Sequence, residues 1–284
     1  MNSNSIGSDL LECVEHGTDG QKGNLLGIQP FMEVPDYANE DAFFAKLDRY
    51  FDESKRRGWI SPKTIAILPE YVAAWLLVAG EGPGVIQARI TEVAMIRLIL
   101  ANLGPFLKYF FKAPARDRVK YAIFRMKAEQ VGRIYHSVFS RLARKYGVTV
   151  VAGSVVLPAL EVRGSELVFM GDKLFNTTLV YKPDGEAYPE TVHKVYVTPP
   201  EIVYTECGRV DALPVFVTPA GRLGVLNCAD SWYADTYKKL EGKIDFLAVP
   251  SFIEKNFVTA APWKADNIAP LPVEYDPNDR HRIT

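Results

Sequence analysis

The sequence predicts a layered α/β protein, because short apolar runs typical of strands alternate with amphipathic segments typical of helices. The first run, NLLGIQPFM, begins near residue 24, and another, TIAILPEY, ends at Pro69 and Glu70. Between them, NEDAFFAKLDRYFDESKRRG places apolar side chains at helical spacing, with acids in its first turn, bases in its last and Gly58 after it. These segments predict strand, helix and strand in that order.

The second half of the chain continues this alternation. EQVGRIYHSVFSRLARKYG carries one apolar stripe and ends at Gly147, which predicts a second helix. VTVVAGSVVLP is rich in β-branched residues and predicts a strand. Two stretches predict hairpins that turn at residues 183–185 and 219–221, namely LFNTTLVYKPDGEAY and VFVTPAGRLGVLN. A short helix, DTYKKLEGK, and a strand, IDFLAVPSF, complete the pattern.

The composition is that of a folded protein with no strong charge preference for a partner. The 284 residues are 48% hydrophobic, and 33 basic residues stand against 34 acidic ones. This balance gives no reason to expect nucleic acid as a partner. Cys13, Cys207 and Cys228 form neither a disulfide pattern nor a zinc-ligand spacing, and no phosphate loop or dinucleotide motif follows a strand. We therefore expect neither a metal nor another cofactor.

Three segments are expected along the chain. Residues 1–22 are polar and predict a disordered tail, residues 23–260 predict the folded domain, and residues 261–284 contain several prolines and predict an irregular tail. The start shows no signal or transit sequence, so we expect a cytoplasmic protein.

Three polar residues stand where apolar strands end, which makes them candidates for chemistry. Glu70 follows AILP, Lys194 lies inside VHKVYV, and Cys228 follows GVLN. Strand ends in layered α/β folds converge on clefts, so these groups are expected to meet. Taken singly, the cysteine could be buried filler and the two charges a structural ion pair. His193 adjoins the lysine in a strand and should therefore face the opposite way.

Four stretches resemble the signatures of the nitrilase or carbon–nitrogen hydrolase superfamily. They are ILPEY, HKVYVTPPE and GVLNCADSW, with LAVPSF about twenty residues later. Their order matches, and Glu201 lies where the family carries a second glutamate that supports the lysine. LFNTTLVYKPDGE resembles the family hairpin before the lysine. The resemblance runs from about residue 24 to residue 252, with one long insertion.

The resemblance implies an α/β (α+β) fold, a four-layer αββα sandwich, for the domain at residues 23–260, and a homo-oligomer. In relatives, a helix and several strands follow the PS dipeptide, whereas this chain continues with a proline-rich stretch. The fold is therefore expected to lack its C-terminal strands and helix. Unpaired strand edges and uncovered apolar faces should follow, so we expect marginal stability or a partner.

The resemblance also implies a chemistry, the hydrolysis of a small-molecule amide or nitrile through a cysteine thioester. Cys228 would attack, Glu70 would move protons, and Lys194 would stabilise the oxyanion. Glu201 would hold the lysine, and the amide of Ala229 would be a second oxyanion donor. A proton shared by the glutamate and the cysteine predicts a bell-shaped pH profile. Four aromatic residues near the motifs are candidates for either the substrate pocket or the core: Tyr71, Trp232, Tyr233 and Phe252.

The insertion, at about residues 80–127, is apolar on nearly every face and then basic. We favour a pair of helices that cover the active site or make a subunit contact, because apolar patches more often mark protein contacts. The alternative is peripheral membrane contact through residues 85–127, with a basic, aromatic rim. Two other functions stay open: an inert truncated pseudoenzyme or membrane-associated assembly component, and an N-acyltransferase that passes the acyl group to an amine.

Overall fold

The computed structural model describes residues 13–18, 20, 22–88, 91–164 and 166–252. The predictions for most of the N-terminal tail, for the C-terminal tail and for missing C-terminal strands concern residues outside these ranges.

A five-stranded sheet forms one half of the domain. Its strands follow in the order β1 to β5, with β1, β2 and β3 parallel and β3, β4 and β5 antiparallel. Their bounds are Asn24–Gly27, Thr64–Ile67, Thr149–Arg163, Glu166–Tyr181 and Val192–His193. The register pairs Ile65 with Thr149 and Thr178 with Val192. This sheet carries both the turn at Glu70 and the segment at Lys194.

A three-stranded sheet forms the other half. β6 (Val215–Thr218) and β7 (Gly221–Val225) form the antiparallel hairpin predicted from the sequence, and β8 (Phe246–Ala248) pairs with β7 in parallel. Cys228 follows β7 closely and therefore lies at the end of this second sheet.

Six α-helices surround the two sheets in the described part of the chain. In chain order, α1 to α6, they are Glu40–Arg56, Pro83–Ile86, Thr91–Ala101, Leu103–Lys112, Arg118–Tyr146 and Ala234–Leu240. Both predicted long helices are confirmed. The Asn39 side chain accepts a hydrogen bond from Ala42 N at the start of α1, and Gly147 ends α5 with a φ of +64°. Short 3₁₀ turns span Val34–Tyr37, Ala74–Val78, Val210–Ala212 and Cys228–Trp232.

Alternation along the strands produces the four layers. Ala66 and Val150 face the core shared with α1 and α5, whereas their neighbours Ile65 and Val151 face the core shared with the three-stranded sheet. Gly224 of β7 lies against Leu240 of α6, so this helix covers the far side of the second sheet. The predicted αββα arrangement is confirmed.

Several elements differ from the prediction in extent or pairing. The second long helix begins at Arg118, well before EQVGRIYH, and β4 pairs with the equally long β3. The predicted turn at residues 183–185 forms, and beyond it Tyr181 bridges to Ala187 and Tyr188 N–H donates to Val180 O, before β5 pairs with β4. Lys194 comes just after β5 instead of inside a strand. A period-two pattern defines which face a residue occupies, but it does not specify where pairing stops.

The insertion is helical, but it contains α2, α3, α4 and the first part of α5 instead of the expected pair of helices. α4 packs along α5, and Tyr109 joins a small apolar cluster that contains Tyr71 and Tyr204. No single helix in the described ranges is long and apolar enough to cross a membrane. Taken together, α3 and α4 have the length and apolar composition needed to cross a membrane, but the pair is bent by 99°.

Candidate active site

Glu70 is positioned by a tight turn at the end of β2. Leu68 still donates its N–H to Val151 O at 3.0 Å, and the next residues leave the sheet. Tyr71 has a φ of +62° and donates its N–H to Ser154 Oγ at 3.0 Å. Gly153 makes the close approach possible, because a Cβ there would lie 2.2 Å from Pro69 O.

Lys194 is held between two backbone hydrogen bonds. Its N–H donates to Asn176 O at 2.8 Å, and its carbonyl accepts from Gly208 N at 2.7 Å. The side chain is only 1% exposed, so its ammonium group requires partners inside the protein.

Cys228 opens a 3₁₀ turn shortly after β7. Its φ is +49°, and its N–H donates to Pro250 O at 2.9 Å. Among the described residues other than glycine, only Tyr71 and Cys228 have a positive φ. Such conformations are costly and cluster at functional sites, and both lie beside the same side chain, that of Glu70.

Asp230 joins the cysteine turn to the lysine segment. Its Oδ1 accepts the N–H groups of Val195 at 2.9 Å and Tyr196 at 2.7 Å, and its Oδ2 accepts Asn227 N at 3.1 Å. Burial raises the pKa of this carboxyl to about 6, although the three backbone donors oppose the shift. The carboxyl therefore fixes the distance between the two sheet ends.

The centre of the site is an ammonium group between two carboxylates. Lys194 Nζ lies 2.8 Å from Glu70 Oε1 and 2.8 Å from Glu201 Oε2. Asn176 Nδ2 donates to Glu70 Oε1 at 2.8 Å and to Glu201 Oε1 at 3.0 Å. The two glutamates are 3% and 4% exposed, so one lysine and one amide compensate two buried negative charges.

Glu201 makes further contacts that fix its orientation. Its Oε2 accepts both the N–H and the hydroxyl of Thr198 at 2.7 Å, and the Tyr71 hydroxyl donates to its Oε1. Burial alone would raise the pKa of Glu201, but Lys194 and these donors hold it below its usual range. Glu201 is therefore ionised and immobile.

The sulfur of Cys228 completes the cluster. The Glu70 carboxyl and the Phe252 N–H are both close enough to the thiol to influence its pKa, and Phe252 N–H donates to Glu70 Oε2 at 3.2 Å. The cysteine is half-buried, whereas its partners are nearly inaccessible. A substrate carbon can therefore approach the sulfur while the charged groups stay shielded from water.

Burial is the main influence on the pKa values of Glu70 and Cys228. It raises the pKa of Glu70, a shift that Lys194 opposes and Glu201 reinforces. Burial also raises the pKa of the Cys228 thiol to about 12, with the Glu70 charge adding to it and Lys194 opposing it. Burial would lower the pKa of Lys194, but the two glutamates outweigh it and raise that pKa. At neutral pH the sulfur is protonated and the lysine is charged.

The structure brings together the residues predicted to act on the substrate, and it separates some of the aromatic candidates. Phe252 packs edge-on against Tyr71, with ring centroids 6.3 Å apart. Tyr233 is buried and stacks on Tyr196. Trp232 is half-buried, and Ala229, directly after the cysteine, is 1% exposed.

His193 faces away from the lysine, as alternation predicts. Its Nδ1 lies 3.0 Å from Thr177 Oγ1, its ring packs on Phe175, and burial lowers its pKa to about 4.

Asn176 and Asp230 were missed by the sequence reasoning. Asn176 lies in the LFNTTLVY stretch and Asp230 in CADSW, so both stand inside quoted motifs. The sequence contained a signal for each of them. Asn176 is a polar residue inside an apolar strand, and Asp230 is an acid two residues after the cysteine. Both side chains require hydrogen-bond partners if they are buried. In the part of the chain that the structure describes, no group of three or more His, Cys, Asp or Glu residues could hold a metal ion.

Comparisons with known proteins agree with the motifs. The carbon–nitrogen hydrolase family model matches residues 125–255, a region that contains Lys194, Glu201 and Cys228, while Glu70 precedes it. This match confirms the resemblance inferred from the sequence. No curated protein sequence matches the chain significantly.

Several solved structures are similar in fold. A carbon–nitrogen hydrolase from Helicobacter pylori G27 has 17% identity and a TM-score of 0.43, over 81% of this chain and 59% of that one. An amidase from Nesterenkonia sp. has 15% identity and a TM-score of 0.44, over 80% and 64%. Nit3 of Saccharomyces cerevisiae has 16% identity and a TM-score of 0.44, over 79% and 62%. The chain thus spans less than two thirds of the length of these three proteins.

Proposed function

Because residues 125–255 belong to the carbon–nitrogen hydrolase family, we propose that the protein hydrolyses a non-peptide carbon–nitrogen bond with Cys228 as the nucleophile. The observation that carries the proposal is the buried Glu70–Lys194–Glu201 cluster in contact with a half-buried thiol. A structural ion pair explains the charges, but it gives no reason for a strained cysteine at their edge.

The first step transfers the thiol proton to Glu70 while the sulfur attacks the substrate carbonyl carbon. A thiol with a pKa of about 12 attacks poorly unless a base accepts its proton, and the Glu70 carboxyl is the neighbouring group that can do so. The carbonyl π electrons move to oxygen and form a tetrahedral oxyanion.

Lys194 stabilises that oxyanion in this proposal. An ammonium group has three N–H donors, and Glu70 and Glu201 accept two of them. The third is available to the oxyanion, and the backbone N–H of Ala229 is the proposed second donor. Glu201 and Asn176 hold the lysine, and they act as positioning residues.

Collapse of the oxyanion breaks the carbon–nitrogen bond. Glu70 returns its proton to the leaving nitrogen, which departs as a neutral amine or ammonia and leaves a thioester on Cys228. Glu70 then accepts a proton from water, whose oxygen attacks the thioester and releases a carboxylic acid and the free thiol. Amides are the preferred substrate class in this proposal, because their poor leaving group requires this proton donor.

Turnover of a panel of short amides tests the proposal. Wild type should release amine from at least one of them, and Cys228→Ala, Glu70→Gln and Lys194→Met should each lower the rate at least a hundredfold. Cys207→Ala is the matched control, because that cysteine is exposed, whereas Cys228 is half-buried. Equal rates for Cys228→Ala and wild type would refute the proposal. Release of amine without acid, only when a second amine is present, would instead identify an acyltransferase.

A further inference from the structure

Helix α4 is apolar on two sides, although packing explains only one of them. Phe106 is buried, and Tyr109 and Phe110 pack against the main core. The exposed surface of the helix carries an outer stripe that consists of Leu103, Leu107 and Phe111, with Leu100 before the bend. These residues are 47%, 40%, 73% and 66% exposed, respectively. A surface helix of a globular protein needs one apolar stripe, so the second one indicates a partner.

Positive charge borders the outer stripe. Residues 91–120 include six basic residues but only two acids, Glu92 and Asp117. Five of these basic residues lie in α4 or shortly after it, and all five are exposed: Lys108, Lys112, Arg116, Arg118 and Lys120. Lys120 lies 3.6 Å from Asp117, so that acid is already engaged by a neighbouring base.

An open hollow continues the same surface toward α5. Its volume is about 530 Å³, and its lining residues are Phe110, Arg116, Asp117, Arg118, Val119 and Val203. Apolar side chains and two arginines line this region together with one acid, Asp117, which suits a molecule with an anionic head and an apolar body.

These charges favour a lipid surface over a second copy of the chain. In a two-fold symmetric dimer the same patch meets itself, so the cationic border would face an identical cationic border. An anionic bilayer complements both features, because headgroups attract lysine and arginine while the interface accepts apolar side chains.

We propose that the outer stripe and its cationic border dock the protein on an anionic membrane surface. The stripe lies in the interfacial layer, and the basic residues contact headgroups. This function is additional to hydrolysis, and it does not require an active cysteine.

Co-sedimentation of the full chain with vesicles tests the docking. Vesicles of phosphatidylcholine alone are compared with an equal mixture of phosphatidylcholine and phosphatidylserine. Binding is expected only to the mixture, and salt near 1 M, where the Debye length is about 3 Å, should abolish it. Lys108→Gln combined with Lys112→Gln should weaken binding about thirtyfold, as expected for two interfacial charges.

A second pair of variants tests the apolar contribution. Leu107→Ser with Phe111→Ser should abolish binding, whereas Met170→Ser with Val217→Ser, which changes exposed apolar residues elsewhere, should preserve it. Sedimentation velocity without lipid measures self-association of the same proteins. The proposal is overturned if anionic vesicles bind no protein at low salt, or if the stripe variant binds as wild type does. It is also overturned if the stripe variant loses self-association while its vesicle binding is unchanged.

Discussion

Replacing Glu201 with glutamine removes one of the two carboxylates that flank Lys194 and keeps the side chain nearly isosteric. The lysine nitrogen lies 2.8 Å from Glu201 Oε2, so at an effective dielectric of about 20 the lost attraction is about 6 kcal/mol. Glu70 Oε1 lies at the same distance from that nitrogen, which places the two carboxylate oxygens at most about twice as far apart. The variant therefore also relieves about 3 kcal/mol of repulsion.

The difference predicts that Glu201→Gln destabilises the protein by about 3 kcal/mol, the size expected when a buried ion pair loses one partner. Urea unfolding monitored by tryptophan fluorescence measures this difference. Glu206→Gln is the matched control, because the Glu206 side chain is 45% exposed and lies 3.4 Å from Lys173. It should change the free energy of unfolding by less than about 0.5 kcal/mol.

The pH dependence of the turnover rate of Glu201→Gln distinguishes an electrostatic role of Glu201 from a purely structural one. The charge of Glu201 contributes to the raised pKa of Glu70, so its removal should shift the acid limb of the rate profile to lower pH. Glu201→Gln with wild-type stability, or with lower stability but an unmoved acid limb, would refute the charge arrangement described above.

Three other outcomes follow from the site. Gly153→Ala should lower the free energy of unfolding in urea by several kcal/mol more than Gly164→Ala does. Both glycines have a φ near +63°, but only at Gly153 would the added Cβ meet a neighbour, Pro69 O, at 2.2 Å. Equal costs would contradict this reasoning. Asp230→Asn should lower stability by about 1–3 kcal/mol and reduce the turnover rate, since it places an amide donor against backbone N–H groups; an unchanged rate would show that the link is not needed. The turnover rate should rise with pH as Glu70 ionises, with a midpoint above its ordinary pKa of 4.5 because of burial, and should not fall before the thiol pKa of about 12 is approached. A rate that is flat in acid, or that falls near neutral pH, would argue against Glu70 as the base.

The last of these outcomes refines the bell-shaped profile expected from the sequence. That expectation rests on a proton shared by Glu70 and Cys228. In the structure Lys194 is shared between Glu70 and Glu201, and partial burial raises the pKa of the thiol to about 12. The alkaline limb therefore moves far from neutral pH, and only the acid limb is accessible to measurement.

The sequence predicts the layers well, because apolar periodicity reports which faces are buried. Ile65 and Ala66 point into different cores for this reason. It predicts strand ends poorly, as the long β3–β4 pairing shows, since pairing depends on a partner that local pattern does not contain.

The candidate site divides in the same way. Glu70, Lys194 and Cys228 stand at strand ends and are visible from the sequence, and Glu201 follows from the resemblance. Asn176 is a bridge between two carboxylates that are distant in the chain, which only the assembled sheets reveal. Residue spacing does not show which buried side chains form hydrogen bonds with one another.

Acid quench during turnover, followed by mass spectrometry, tests the central claim most directly. Trypsin cleavage after Arg222 and Lys238 releases a peptide of residues 223–238 in which Cys228 is the only cysteine. The account predicts that this peptide gains the mass of the substrate acyl group in wild type, and that the Cys207 peptide does not. Turnover without any acyl group on Cys228, at quench times shorter than one catalytic cycle, would contradict it.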